Sequence, residues 1–436
     1  MIPAGLLAAT LLTQTTPADW RIDRDHPRLL LPARRLRLVQ RERERESIRW
    51  QQYVTVMSSA GEPPEKGFTY ALFGVAGGGQ EFSKKAVEWA LATGDDLRQL
   101  AIVFDWCQSA MTDKQRQAFE AKLRQGIDRW KDASPLATLR SRLMAAVTLA
   151  GHADGVVEPV ARHVVEQWWR KETLPELRAG RPVIEQQDFY ALFEILHVLR
   201  DNYDIDLRED YPKYFTLMPA YHLLAHYPAP FPAAENDYRV PVMKKHAEPD
   251  RRAAVLSRAA ALSMVAYDAN NLENQFLQGW LIQDRFLMRS PLGIPYEFLW
   301  ANPYQPGLSY FHMPRIFHDP VSGRLLLRSS WEDDAVWFYQ AEGQKQFFRN
   351  ARIENLPPEL AEPLAVGAAT LLPAKTPVKF RVASEDKVAF YLLGLAPRHK
   401  YDVEVDDEEV REAVTDAGGT LELLFPEQRK AMVRVK

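Results

Sequence analysis

A chain of 436 residues is too long for one ordinary hydrophobic core, so at least two domains are expected. Hydrophobic residues at 46% and charged residues at 26% exclude a disordered or fibrous chain, and a net charge of −3 excludes bulk attraction to nucleic acid. The single cysteine, Cys107, excludes an internal disulfide and any cysteine-rich metal site.

The chain opens on an apolar run, Ala4 to Leu12, followed by polar residues and the small Ala18. That is the outline of a secretory leader over residues 1–18, which implies a periplasmic or secreted protein. The run is too short to span a bilayer, and no other stretch approaches that length.

From about residue 32 to 290 the apolar spacing is helical. Ala86, Trp89 and Ala90, then Leu97, Leu100, Ala101 and Phe104, recur at the three- and four-residue intervals of amphipathic helices. Thr93-Gly94-Asp95-Asp96 reads as a stop followed by a new start. Further helices are expected near 114–131, 136–150, 156–170, 187–201, 212–226, 251–268 and 272–288. Their short connections predict antiparallel hairpins. Arg41 to Glu46 alternates Arg and Glu, which predicts a solvated, locally paired helix face. Cys107, beside Trp106, reads as core.

After Pro320 the period changes to two. Strands are expected at 324–328, 335–340, 378–382, 388–393, 401–405, 420–425 and 431–435. Tyr401, Val403 and Val405 alternate with Asp402, Glu404 and Asp406, which predicts one buried and one wet face. The fold class is therefore α+β multidomain: helical hairpins over 19–300, then an antiparallel β-sandwich over 301–436. Asp406 to Glu409 reads as a solvated acidic hairpin tip.

His26-Pro27-Arg28-Leu29-Leu30-Leu31-Pro32 leads into an Arg-rich helix, Gly78 to Phe82 runs into Ala86 to Ala90, and Arg328-Ser329-Ser330-Trp331 precedes Trp337. Together, in this order, they resemble the heparinase II/III-like and alginate lyase-related polysaccharide lyases. The resemblance implies an incomplete (α/α) toroid followed by the sandwich, with an anionic polysaccharide bound in the groove between them and cleaved by β-elimination. The family's His-x-His-x-Asp segment is missing. Its place reads Gly343-Gln344-Lys345-Gln346-Phe347-Phe348-Arg349-Asn350.

β-Elimination on a uronate needs groups that neutralise the carboxylate, a base for the C5 proton and an acid for the departing O4. Two segments offer such groups. In the first, Gln187 and Asp188 enter a helix on which Tyr190, Glu194 and His197 share one face. Gln187 would bind the carboxylate, with Tyr190 and His197 as acid and base. The same pattern equally suits an N-cap by Asp188 with Tyr190 and His197 as satisfied core residues. The second is Glu235-Asn236-Asp237-Tyr238-Arg239, about fifty residues on, where the resemblance puts the catalytic Tyr at Tyr238 and Arg239 beside it as a carboxylate clamp. That segment equally suits a turn whose polar groups tie down a loop. His312, near the expected domain junction, could replace the missing sandwich histidine. His222 and His226 stand at a metal-binding interval, but without the His-Glu-x-x-His pattern they read as packing.

Three readings follow. The chain is a lyase on an anionic glycan, a non-catalytic glycan-binding relative, or a toroid glycoside hydrolase pairing Glu185 or Asp188 with Glu235 or Asp237. None of them calls for a metal, a cofactor, a nucleic acid or a membrane span. Oligomeric state is not readable from the sequence.

Overall fold

The computed structural model describes residues 20–22, 25–129, 135–231, 239–243, 250–283, 290–357, 359–374 and 377–436. The leader over 1–18 lies outside them. None of the described helices is long and apolar enough to cross a membrane.

The helices are α1 Ala33–Glu44, α2 Ile48–Ser58, α3 Lys66–Phe73, α4 Gln80–Ala92, α5 Leu97–Trp106, α6 Asp113–Arg129 and α7 Leu136–Thr148, then α8 Asp154–Arg162, α9 Leu174–Arg178, α10 Phe189–Tyr203, α11 Pro212–Leu224, α12 Arg251–Tyr267, α13 Leu272–Gln283 and α14 Ile294–Trp300. The expected stop and start at 93–96 is there: α4 ends at Ala92, and Asp96 caps α5 by accepting from the Gln99 backbone N–H. Every residue of α5 is buried, because it packs against α3 on one side and α7 on the other. The succession continues from α7 to α10, α12 and α14, and α14 packs back on α2 and α3. The remaining helices cover this series; α4 sits on α3 and α5, and α13 on α11 and α12.

Inside the series lies a buried polar network rather than a purely apolar core. Glu194 of α10 meets Arg98 of α5 at 2.7 Å and Arg140 of α7 at 2.5 Å. Arg98 also bonds the Tyr190 hydroxyl, which accepts from the indole N–H of Trp300 on α14. Glu65, just ahead of α3, accepts from Tyr296 of α14 and Arg252 of α12. Five helices of the series and the residue that leads into α3 are thereby joined, through charged hydrogen bonds and one neutral bond between Trp300 and Tyr190.

Thirteen strands follow among the described residues, β1 Ile316–Asp319, β2 Arg324–Arg328, β3 Trp337–Ala341, β4 Gln344–Arg349, β5 Arg352–Asn355, β6 Leu364–Val366, β7 Ala369–Pro373, β8 Val378–Ser384, β9 Val388–Leu393, β10 Lys400–Val405, β11 Glu409–Val414, β12 Thr420–Phe425 and β13 Arg429–Val435. They make three sheets, in the orders β1-β2-β3-β4-β5, β12-β9-β7-β6 and β11-β10-β13-β8. The expected sandwich of two antiparallel sheets needs two corrections. There is a third layer, and β7 pairs with β9 in parallel.

The alternation of side chains explains the layering. Leu326, Trp337 and Tyr339 of the first sheet join the helical core, while Leu325, Leu327 and Phe338 face Tyr391 and Leu393 of the second. Leu392, Leu421 and Leu423 of the second sheet face Val403, Val433 and Val435 of the third. The first two sheets are covered on both faces, so β2 and β3 read as continuous buried runs.

His318 of β1 pins the first two sheets together. Its ring lies 3.0 Å from Asp416 and 3.4 Å from Glu422. Burial alone would lower its pKa, but the two carboxylates outweigh that and raise it to about 9. A pKa raised on folding adds stability that is complete below the unfolded value near 6.5 and is lost as pH rises through about 9. Urea titrations should therefore show stability falling by on the order of 3 kcal/mol between pH 6.5 and 9.5. His318→Gln should flatten that slope; an equal slope in the variant would remove His318 as its cause.

Candidate functional site: an arginine-walled trough

The segment His26 to Pro32 is an anchor, and it aims α1. Asp105, buried at the end of α5, accepts from the backbone N–H groups of Arg28 and Leu29 and lies 2.5 Å from His26 Nδ1. The Trp106 indole donates to the Leu29 carbonyl, and Arg28 donates to that of Ala150. Leu30 is held at φ 58, a backbone conformation unusual for leucine. The chain then turns at Pro32 into α1, whose first turn has neither a capping side chain nor an acidic residue.

Beside α1 lies a half-open cavity of about 910 Å³. One wall is α1 itself, with Arg34, Arg35, Arg37, Leu38 and Arg41. The floor is His197 and Arg200 of α10, the last turn of α12 ending in Tyr267, and Trp300 at the end of α14. The opposite wall carries amides: Asn270, Gln275, Gln278, Asn302 and Gln305. No carboxylate is among the described lining residues. Gly279 and Gly307 let the 302–308 loop close on α13, since a Cβ on Gly279 would stand 1.7 Å from the Leu308 carbonyl oxygen.

The arginines divide into two kinds. Arg35 donates to the Trp300 carbonyl at 2.8 Å, and Arg200 to that of Tyr267 at 2.7 Å, so both satisfy open helix ends. Burial, with Arg34 alongside, lowers the Arg35 pKa to about 10, which still leaves it charged at neutral pH. Arg200 and Arg208 also cover the Tyr267 ring, at 3.9 and 4.3 Å from its centroid. Arg34 and Arg37, by contrast, are exposed and have no hydrogen-bonding or ion-pair partner among the described residues. Arg41 lies over the Tyr304 ring, 4.4 Å from its centroid.

Among the described residues, His197 is the one expected catalytic residue that lines this trough. Its Nε2 lies 3.1 Å from the Ser263 carbonyl oxygen and its Nδ1 3.2 Å from an Arg200 nitrogen. The carbonyl needs a proton on Nε2, and the guanidinium needs a lone pair on Nδ1, so the ring is a neutral tautomer with both nitrogens committed. Burial first, and Arg200 second, push its pKa well below the usual range. Tyr190 is buried in the ion network beneath, where burial and Glu194 raise its pKa.

The other expected site residues lie elsewhere. Gln187 and Asp188 are at the opposite end of α10, nine residues of helix or roughly 14 Å from His197. There Asp188 accepts from the Glu185 backbone N–H in a capping box, and Gln187 donates to Glu185. Arg239 donates to Pro228 and to Asp333 of the β half. His312 is exposed on a turn between α14 and β1 and does not line the trough. Glu235, Asn236, Asp237 and Tyr238 lie outside the described residues. His226 is hydrogen-bonded to the His222 carbonyl and to Ser257, and no cluster of three metal-ligating side chains occurs among the described residues.

The resemblance puts the binding groove at the junction of the two halves. Among the described residues the junction is packed. The Trp337 indole donates to the Leu224 carbonyl, Tyr221 donates to Glu342, and Tyr227 donates to Gln346. Gln346 stands within the segment where the resembled lyases carry histidine, and here it is a docking group. A pocket bounded by Tyr214, Tyr221 and Arg324 has only about 30 Å³ of space, room for a water molecule and not a sugar.

The trough is hard to see in the sequence because Arg41 to Glu46 has the pattern of a locally paired run. Glu42 instead turns inward to Arg49, which leaves Arg41 and Arg45 to flank Tyr304. The usable signal was the helical spacing of Arg34, Arg37 and Arg41.

No family model matches this chain, and no curated protein matches it. Among solved structures, a chain titled "Glycoside hydrolase" aligns over 96% of this chain and 76% of its own length, at 10% identity and a TM-score of 0.32. A likeness at that level carries no weight for either fold or activity.

Proposed function

We propose that the chain is a carbohydrate-active protein whose trough binds an anionic oligosaccharide. The supporting observation is the pairing of an arginine wall with an amide wall and no carboxylate between them. Guanidinium groups match carboxylate or sulfate geometry in a forked, charge-assisted pair. Amides serve hydroxyls, since each offers both donor and acceptor. Here the Gln275 and Gln278 N–H groups are committed to loop carbonyls, which leaves their oxygens to accept from sugar hydroxyls.

In this reading the series α3, α5, α7, α10, α12 and α14 is the inner ring of an (α/α) toroid. The toroid domain is 19–300 and the β domain 301–436.

Between catalysis and binding, the geometry favours binding. The His197 nitrogens are both occupied, Tyr190 is sealed, and no carboxylate is among the described residues that line the trough. β-Elimination remains the activity that the resemblance implies.

Incubation with polygalacturonate, alginate, heparan sulfate, chondroitin and hyaluronan, followed by ultraviolet absorbance and by calorimetry, separates these readings. Saturable binding that weakens with salt, without a new absorbing double bond, is the expected result. A rising absorbance would restore the lyase. New reducing ends without absorbance would establish a hydrolase, and no binding to any glycan would remove the trough as a glycan site.

A further inference from the structure

Resting on the glycan reading of the trough, we propose that Arg34, Arg37, Arg41 and Arg45 form a ruler for charge spacing. The site then takes a linear glycan with an anionic group on every residue, lying along α1.

At 100° per residue these four positions fall within an arc of roughly 80° on α1 and its C-cap. Successive members are three, four and four residues apart, or roughly 4.5–6 Å along the axis, and the row spans roughly 16 Å. That step is close to the length of one sugar residue in an extended chain. All four side chains are exposed, and none is taken up by a carboxylate among the described residues. Arg35, one position out of the row, points to the Leu299 and Trp300 carbonyls instead. Arg45 does not line the 910 Å³ cavity but also lies against Tyr304, 5.1 Å from its centroid, so the row continues beyond the enclosure.

A single-stranded nucleic acid has a comparable charge spacing but needs aromatic faces on which bases stack. Trp300 is buried against His197 and Tyr267 is covered by Arg200 and Arg208, so among the described lining residues only Tyr304, 41% exposed beside Arg41 and Arg45, offers a partly open ring, too few to stack successive bases. The amide wall opposite favours hydroxylated residues.

The test is calorimetric titration of the full chain with oligogalacturonates of two, four and six residues, with hyaluronan oligomers of equal length, and with oligothymidylate. Galacturonate carries its carboxylate on every residue, and hyaluronan on alternate ones. Affinity for oligogalacturonate should rise by about tenfold or more from two to four residues and then level off. It should exceed that for hyaluronan of the same length.

Arg45→Ala, at an exposed position, should lower tetramer affinity by about tenfold and leave the dimer within about twofold. Equal affinity for every length, or for both spacings, would overturn the ruler while leaving the trough a glycan site. No binding by any uronate would overturn both readings. Tighter binding of oligothymidylate would replace the glycan with nucleic acid.

Discussion

Glu194→Gln should lower folding stability by on the order of 3–5 kcal/mol, the usual cost of leaving buried charges without their partner. Glu194 has 0% side-chain exposure, and its guanidinium partners Arg98 and Arg140 have 5% and 12%. Burial alone would raise the Glu194 pKa, but Arg98 and Arg140 outweigh it and hold the carboxylate below its ordinary value. Glutamine removes the charge and turns an N–H group toward one of the arginines. The measurement is the urea midpoint of variant and parent, with circular dichroism as a check that the variant folds. A loss below about 1 kcal/mol would mean that Glu65 and solvent already satisfy Arg98. Since the Glu194 pKa is depressed in the folded state, its contribution is present above its unfolded value and is lost as pH falls through the folded one. Acid should therefore destabilise the parent more than the variant.

Reversing two charges on α1, with Arg37→Glu and Arg41→Glu together, should weaken oligogalacturonate binding by roughly a thousandfold, or about 4 kcal/mol. Two charge-assisted contacts are lost and two like charges are placed against the ligand. Both positions are exposed, so the urea midpoint should stay within about 0.5 kcal/mol of the parent. Unchanged affinity would place the binding surface somewhere other than this trough.

The helical half was legible from spacing, because α5, α7, α10 and α12 present apolar residues at intervals no strand could use. Their ends were legible too, since Asp96 and Asp250 are strong caps. The β half was read less fully. β4 and β5 pair next to β3, yet Gln344 to Asn350 mixes polar and aromatic residues without a clean period-two alternation. β7 was missed because its neighbours come from both sides of the sheet, including a parallel partner far along the chain. Periodicity identifies a strand and the side it buries, but not the number of layers above it.

The site was harder for a related reason. Tyr190, Glu194 and His197 lie at one-face spacing on α10, but that face is buried against neighbouring helices. Which polar residues point to solvent and which to each other depends on partners from four other helices, α5, α7, α12 and α14, and no spacing within α10 records those.

The helix ends under the trough have a consequence for how such a site can change. α10, α12 and α14 all finish there, each bringing partial negative charge on its last carbonyls. The positive character of the trough is therefore borrowed from side chains and runs against the backbone beneath. A lineage that lost Arg34, Arg37 and Arg41 would keep the same cavity and floor, with Arg35 and Arg200 left to offset those carbonyls. The fold could pass from holding an acidic ligand to holding an uncharged one through a few substitutions on one helix face, without rebuilding anything else.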